Sequence, residues 1–220
     1  MFLDDLESAS QGTETIGLIL AGGRSSRFGN RDKCFELLGG RPLIDHVLDR
    51  ANRQVGDLLV SSDQNPERFK EKGIPVIPDG IPEYAGPLAG LLSVLDWMEG
   101  NAGQFRQWGW IATFPVDSPF FPEDMVDRLM TAAKHNGQPV IASSNGRAHP
   151  VFGLWPRHIR QPLRAFIDAP GRHRLLDFSE SIDAVTVSFK APTIDPFFNI
   201  NTPDDLECAN QFLADGCAPE

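Results

Sequence analysis

The chain has 220 residues, of which 41% are apolar and 23% charged; this suits one α/β domain with a real core and is short for two. Its net charge is −10, from 20 basic and 30 acidic residues. That excludes a broad nucleic-acid face, which needs clustered cations to displace counterions, but allows a triphosphate held in a local pocket of arginine, lysine and backbone amides.

Residues 1–14 are acidic and polar, without the basic and apolar regions of a secretory signal, and read as a loose tail. The domain is expected over 15–213, with 214–220 a second tail. Thr15–Ala21 is an apolar run leading into glycines and reads as a buried first strand. Pro42–Gln54 has helical spacing at Leu43, Val47 and Leu48, with Pro42 placed in the first turn. Asp57–Ser61 reads as a strand, Pro66–Lys72 as a short helix and Ile74–Ile77 as a third strand. Leu88–Met98 presents Leu88, Leu91, Leu92 and Leu95 on one helical face. Trp108–Phe114 is a fourth strand and Pro122–His135 a helix. Pro139–Ala142 and Val151–Leu154 are further strands, with Asn145-Gly146 as a turn between them. Arg157–Ile167 reads as helix, Ile182–Phe189 as strand, and Pro203–Leu213 as a last helix capped by Thr202.

The alternation predicts an α/β fold of Rossmann type: one domain with a mostly parallel central sheet and helices on both faces. Ligands in such folds sit beyond the carboxyl ends of the strands. The loops after Ala21, Ser61, Ile77 and Phe114 are therefore the place to look. No apolar run approaches membrane length, so no membrane contact is expected. Cys34, Cys208 and Cys217 are odd in number, match no zinc spacing and read as reduced thiols of a cytoplasmic protein.

The loop after the first strand reads LAGGRSSRFGNRDK over residues 20–33. Gly22, Gly23 and Gly29 permit tight turning and close approach to phosphate oxygens. Ser25 and Ser26 add hydroxyls, while Arg24, Arg27 and Lys33 add cationic donors. Such a set behind a buried strand is what a triphosphate requires; the same composition also fits a solvated surface turn. Neither GxGxxG nor GxxxxGK[ST] is present, so dinucleotide-binding and P-loop readings lose their fingerprints. Neither a Ser/His/Asp triad nor a cysteine nucleophile is evident.

This loop resembles the nucleotidyltransferase signature, LAxGxSxRxGxxK in outline. The double Gly22-Gly23 and the Asp32-Lys33 pair are most similar to molybdenum cofactor guanylyltransferases; the cytidylyltransferase branch reads LAAG here. Residues 76–91, VIPDGIPEYAGPLAGL, resemble that family's PDxxPxYxGPLAGL element. Physically, Gly86 and Gly90 bracket a helix start. Asp79 could accept from guanine N1–H and the 2-amino group together, or be a plain turn aspartate. FPVDSPFFP at 114–122 resembles PxDxPxxP, whose aspartate is the magnesium ligand, matched by Asp117. A strand-end carboxylate suits Mg²⁺, which prefers oxygen and needs few protein carboxylates; a turn residue is the other reading. Ser61 departs from the asparagine common at that strand end, keeping a hydroxyl of shorter reach.

Further on, Arg147-Ala148-His149-Pro150 resembles the family's HP element, and NINTPDDL at 199–206 its NxNTPxDL. The resemblance thus spans about residues 15 to 213. It implies a nucleotide site of Leu20, Ala21, Gly22, Gly23, Arg24, Ser25, Lys33, Ser61, Asp79, Gly86 and Asp117, with Lys33, Arg27 and Asp117 catalytic. The second substrate would meet His149, Arg172, Arg174, Asn199 and Asn201. His149 equally suits a backbone-satisfied structural role, and the Arg172–Arg174 cluster a solvated face. The implied reaction takes GTP with Mg²⁺ and transfers GMP to the phosphate of molybdopterin, releasing pyrophosphate. Protein partners would be molybdenum-insertion proteins and molybdoenzyme chaperones. The alternatives are a nucleotidyltransferase for another base or acceptor, such as CTP or a sugar phosphate, and a non-catalytic nucleotide-binding assembly partner.

Overall fold

The computed structural model describes residues 14–22, 32–78, 80, 86–101, 107–133, 137–171, 173–191 and 193–216. Strands run over Thr15–Leu20 (β1), Leu37–Leu38 (β2), Arg41–Pro42 (β3), Asp57–Ser61 (β4), Val76–Ile77 (β5), Trp110–Pro115 (β6), Val140–Ser144 (β7), Arg147–Pro156 (β8) and Val185–Phe189 (β9). Helices run over Leu43–Asn52 (α1), Pro66–Lys70 (α2), Pro87–Gly100 (α3), Met125–Ala133 (α4), Arg160–Asp168 (α5), Leu175–Ser181 (α6) and Pro203–Ala214 (α7).

Strand β1 explains the layering. Its residues alternate between faces because strand side chains have period two. Ile16, Leu18 and Leu20 enter the core beneath α3, α5 and α6, with Leu91, Leu95, Leu163 and Phe178. Ile19 points the other way, into the core beneath α1 and α4, with Val47, Leu48, Leu129 and Met130. A smaller cluster of Leu38, Leu43, Phe120, Ile200 and Ala209 seats α7.

The main sheet has the order β5-β4-β1-β6-β8-β7-β9. Strands β5, β4, β1 and β6 are mutually parallel. β8 runs antiparallel to both β6 and β7, and β9 is parallel to β7. The expected mostly parallel sheet with helices on both faces is what forms, with β8 as its antiparallel member. The chain leaves β1 toward β4 and β5, then returns to place β6 on the other side of β1. That reversal opens a crevice beyond the carboxyl ends of β1 and β6. Because β8 is antiparallel, its first residues lie at this same edge.

Several expected elements shift. The third strand shortens to Val76–Ile77, and the Pro122 helix starts at Met125. Pro42 lies before α1, pairing in β3, rather than in the helix's first turn. The β2–β3 hairpin was not anticipated; Gly39 and Gly40, at φ 57° and 79°, supply its turn. Val151–Leu154 is the middle of a ten-residue strand, β8. Helix α6 was missed, and its residues Leu175 and Phe178 are core. Among the described residues, no helix is long and apolar enough to cross a membrane.

Candidate active site

Three residues far apart in sequence meet at the crevice. The Lys33 ammonium donates to Asp117 Oδ2 at 2.8 Å and to Asn201 Oδ1 at 2.9 Å. The pair is partly sheltered, with 12% of the Lys33 and 22% of the Asp117 side chain exposed.

Local chemistry sets each member. Lys33 opens a 3-10 turn, Lys33–Phe35, capped by Asp32, whose Oδ1 accepts from the Cys34 N–H at 3.1 Å. The other Asp32 oxygen accepts from Asn65 Nδ2 at 2.7 Å, tying this turn to the segment after β4. Cys34 is buried and its thiol reaches the Ala21 carbonyl at 3.7 Å. Burial pushes that thiol well up, and the neighbouring Asp32 and Asp117 add to the rise. A buried thiol raised in this way stays protonated and is a poor nucleophile.

Asp117 follows β6. Val116 N–H donates to the Leu20 carbonyl at 3.2 Å, holding the ends of β6 and β1 together. The Asp117 carbonyl accepts from Ile200 N–H at 2.8 Å, which brings Asn201 alongside. Asn201 is fixed in turn by a capping box at the start of α7. Thr202 accepts from Asp205 N–H, and the Asp205 carboxylate accepts from the N–H groups of Asn201 and Thr202. Burial pushes the Asp205 carboxyl up. The hydrogen bonds from Asn201 and Thr202 and the Lys33 charge outweigh this and hold it below its ordinary range.

The helix α3 starts at the same edge. Gly86, at φ 135°, occupies backbone space open to glycine, and Pro87 begins the helix. Gly90 lets α3 press on the strand ends: a Cβ there would stand 2.7 Å from Ser61 Oγ and 3.1 Å from Leu20 Cδ2. The N–H groups of a helix start and its dipole favour an anion at this end.

Other expected residues divide. Leu20, Ala21 and Gly22 lie at the carboxyl end of β1, where Ala21 N–H donates to the Ser61 carbonyl. Gly22 is exposed. The Ser61 side chain is fully buried against Gly90, so it shapes the floor of the crevice instead of reaching outward. Asn199 is exposed beside buried Ile200. Arg174 pairs with Asp177 of its own helix through two hydrogen bonds, at 2.9 and 2.6 Å. Gly23, Arg24, Ser25, Arg27, Asp79 and Arg172 lie outside the described residues.

His149, on β8, sits at the same edge. Its Nε2 is 2.8 Å from Ser144 Oγ, which is also 2.7 and 2.8 Å from the two Asp195 oxygens. A Ser, a His and an Asp thus stand together here. The serine, not the histidine, is the middle member, which is not the order of a hydrolytic triad. Ser144 and Asp195 carry no motif; the β7–β8 hairpin carries Ser144 and His149, and the segment after β9 brings Asp195 to Ser144.

Asp117 and the Asn201 amide carbonyl offer oxygen donors at one point of the crevice, which phosphate oxygens would extend to an all-oxygen set. That suits Mg²⁺, which is commonly held by one or two carboxylates plus phosphate and water. Among the described residues, no group of three or more His, Cys, Asp or Glu could hold a metal by itself.

The comparisons with known proteins bear on the family and the fold. The MobA-like NTP transferase domain matches residues 17–185. A molybdenum cofactor guanylyltransferase of Mesorhizobium japonicum is 42% identical over 204 residues, covering 91% of this chain and 96% of that protein. One from Rhizobium leguminosarum is 42% identical over 206 residues, covering 91% and 94%. Among solved structures, molybdopterin-guanine dinucleotide biosynthesis protein A of Archaeoglobus fulgidus aligns with a TM-score of 0.67 at 22% identity, covering 91% of this chain and 99% of that one. A 4-diphosphocytidyl-2C-methyl-D-erythritol synthase of Anaerococcus prevotii reaches 0.72 at 13% identity, covering 94% and 99%. At such identities the solved structures share the fold alone, but the family match and the long, close relatives carry more: the chain belongs to the MobA-like NTP transferase family.

Proposed function

We infer that this chain is a molybdenum cofactor guanylyltransferase, which transfers GMP from GTP to the phosphate of molybdopterin and releases pyrophosphate. The relatives bearing that name cover nearly the whole chain. The observation that carries the site assignment is the meeting of Lys33, Asp117 and Asn201 at the β1–β6 crevice.

The phosphates of GTP lie on the loop after Ala21 and near the start of α3. Asp117 would hold Mg²⁺ together with phosphate oxygens, with the Asn201 amide oxygen at hand. Bound there, Mg²⁺ supplies neutralising charge to the phosphates. The attacking phosphate is already ionised near neutral pH, so the protein need not supply a strong base. Its task is positioning and charge stabilisation. Asp117 and Asn201 hold the Lys33 ammonium where charge develops, and Arg27 adds a second cation. Asp79 reads the guanine edge. A cytoplasmic site of action, with molybdenum-insertion proteins and molybdoenzyme chaperones as partners, belongs to the same proposal.

The test is nucleotide choice with isolated molybdopterin and Mg²⁺. GTP should yield the guanine dinucleotide and pyrophosphate. Preferential turnover of CTP, or turnover of a sugar phosphate in place of molybdopterin, would replace this reading with that of a related transferase.

A further inference from the structure

The segment from Asp195 to Thr202 serves two clusters. Its far end brings Ile200 and Asn201 to Asp117 and Lys33. Its near end brings Asp195 to Ser144 and Phe197 to His149, whose rings are 4.8 Å apart between centroids. Asp195 is itself anchored, since its Oδ1 accepts from the Phe197 N–H at 2.9 Å.

His149 is held in an irregular part of the sheet. The β7–β8 register passes from Ile141↔Gly153 to Ala142↔His149, so Pro150, Val151 and Phe152 form an extended bulge in β8. Bulges of this kind re-aim side chains and cluster near active sites. The half-buried imidazole flanks this bulge, on the β8 end that faces the crevice.

The hydrogen count around Ser144 decides the histidine's proton. An ionised carboxylate has no hydrogen to give, so the Ser144 hydroxyl donates to Asp195. A serine hydroxyl has one hydrogen; toward His149 it can then only accept. Nε2 must carry the proton of that contact.

We propose that Asp195 and Ser144 are positioning residues that fix His149 as its Nε2–H tautomer, so that Nδ1 offers a lone pair to a ring N–H or amino donor of the acceptor's heterocycle. This rests on reading the chain as a molybdopterin guanylyltransferase. A pterin ring carries N–H donors, whereas an ionised phosphate offers only acceptors. Burial lowers the affinity of His149 for a second proton, against the pull of Asp195, and Arg147 adds to the fall. The imidazole is therefore neutral near pH 7 and presents an acceptor rather than a cation.

Two readouts test this on the full chain. Long-range nitrogen NMR of the imidazole reports which ring nitrogen is protonated, without any substrate. Wild type should show a protonated Nε2 and a bare Nδ1; Asp195→Asn and Ser144→Ala should each show mixed tautomers. Asp195 is half-exposed, so its variant keeps the test open if the buried Ser144→Ala protein folds poorly. A wild-type Nδ1–H form, or unchanged tautomers in a folded variant, would overturn the proposal. In steady-state transfer, Asp195→Asn and His149→Lys should raise KM for molybdopterin about tenfold, the worth of one hydrogen bond, with Kd for GTP within about twofold. A His149→Lys enzyme that uses molybdopterin as well as wild type would place a cation's task at this position and overturn the proposal. Wild-type protein inactive with molybdopterin would overturn the functional reading and the acceptor's role with it, a failure separate from that of the tautomer.

Discussion

Lys33 and Asp117 are 84 positions apart in sequence, yet their charged atoms stand 2.8 Å apart at the mouth of the crevice. The pair joins the exit of the glycine-rich loop to the end of β6, and Asn201 joins both to the start of α7. A preorganised ammonium placed this way needs little rearrangement when phosphate charge builds up nearby.

Asp117 accepts from Lys33 and is the carboxylate we propose as the Mg²⁺ ligand. Asp117→Asn keeps the shape and removes the charge. Turnover should fall by about 10²–10³, the usual worth of a preorganised electrostatic group. The Mg²⁺ concentration for half-maximal rate should rise as well. The check is a Mg²⁺ titration of initial rates; an unchanged midpoint and rate would remove Asp117 from the metal site.

Asn201 should act on the chemical step through Lys33. Asn201→Ala leaves the ammonium with one acceptor fewer, and kcat should drop by about tenfold, the scale of one charge-assisted hydrogen bond. Asp205 of the capping box also accepts from the Asn201 backbone N–H, which alanine retains, so the melting temperature should move little. Equal loss of stability and rate would assign Asn201 a structural role.

Gly90→Ala tests the close approach of α3. The added Cβ would stand 3.1 Å from Ser61 Cβ as well as 2.7 Å from its Oγ, so a simple rotation of the hydroxyl cannot relieve both. Overpacking of this kind costs about 1–3 kcal/mol, partly offset by the better helix propensity of alanine. Thermal unfolding should show a lower midpoint, and KM for GTP should rise as the helix start is pushed back. A variant as stable as wild type would mean that α3 can slide freely on β1 and β4.

How much of this was legible beforehand depended on the kind of signal. The β1 run and the spacing of Leu88, Leu91 and Leu95 in α3 reflect burial periodicity, which is written locally. Lys33, Asp117 and Asn201 stood in motifs, so their candidacy was visible although their contact was not. The β2–β3 hairpin is too short to show a period, and α6 carries only a few core residues. Ser144 and Asp195 are ordinary polar residues until the β7–β8 pairing sets Ser144 beside His149 and the segment after β9 brings Asp195 to Ser144. The burial of the Ser61 hydroxyl was not legible either: it depends on the missing side chain at Gly90, which lets α3 lie against it.

Asp205 gives a pH signature. Its carboxyl is held below its ordinary value of 3.8 in the folded protein, so its contribution is present above that value. The contribution is lost as pH falls through the lower folded value, when the proton taken up breaks the bonds to Asn201 and Thr202. Asp205→Asn should be less stable than wild type near neutrality, and the gap should close in acid. Melting temperatures of both proteins across that range are the check; a gap that stays constant would mean that the charge of Asp205 is not what holds the cap.

The most direct measurement is the single-turnover rate of GMP transfer from GTP to molybdopterin by wild type and Lys33→Ala, at saturating GTP and Mg²⁺. Loss of one preorganised donor should slow the step by about 10²–10³. The melting temperature should change little, because the ion pair is partly exposed and such pairs contribute modestly to stability. Lys33→Arg should recover only part of the rate, since a planar fork does not reproduce a compact ammonium. A Lys33→Ala protein within about threefold of wild type, far short of that range, would contradict the role given to the Lys33–Asp117–Asn201 centre.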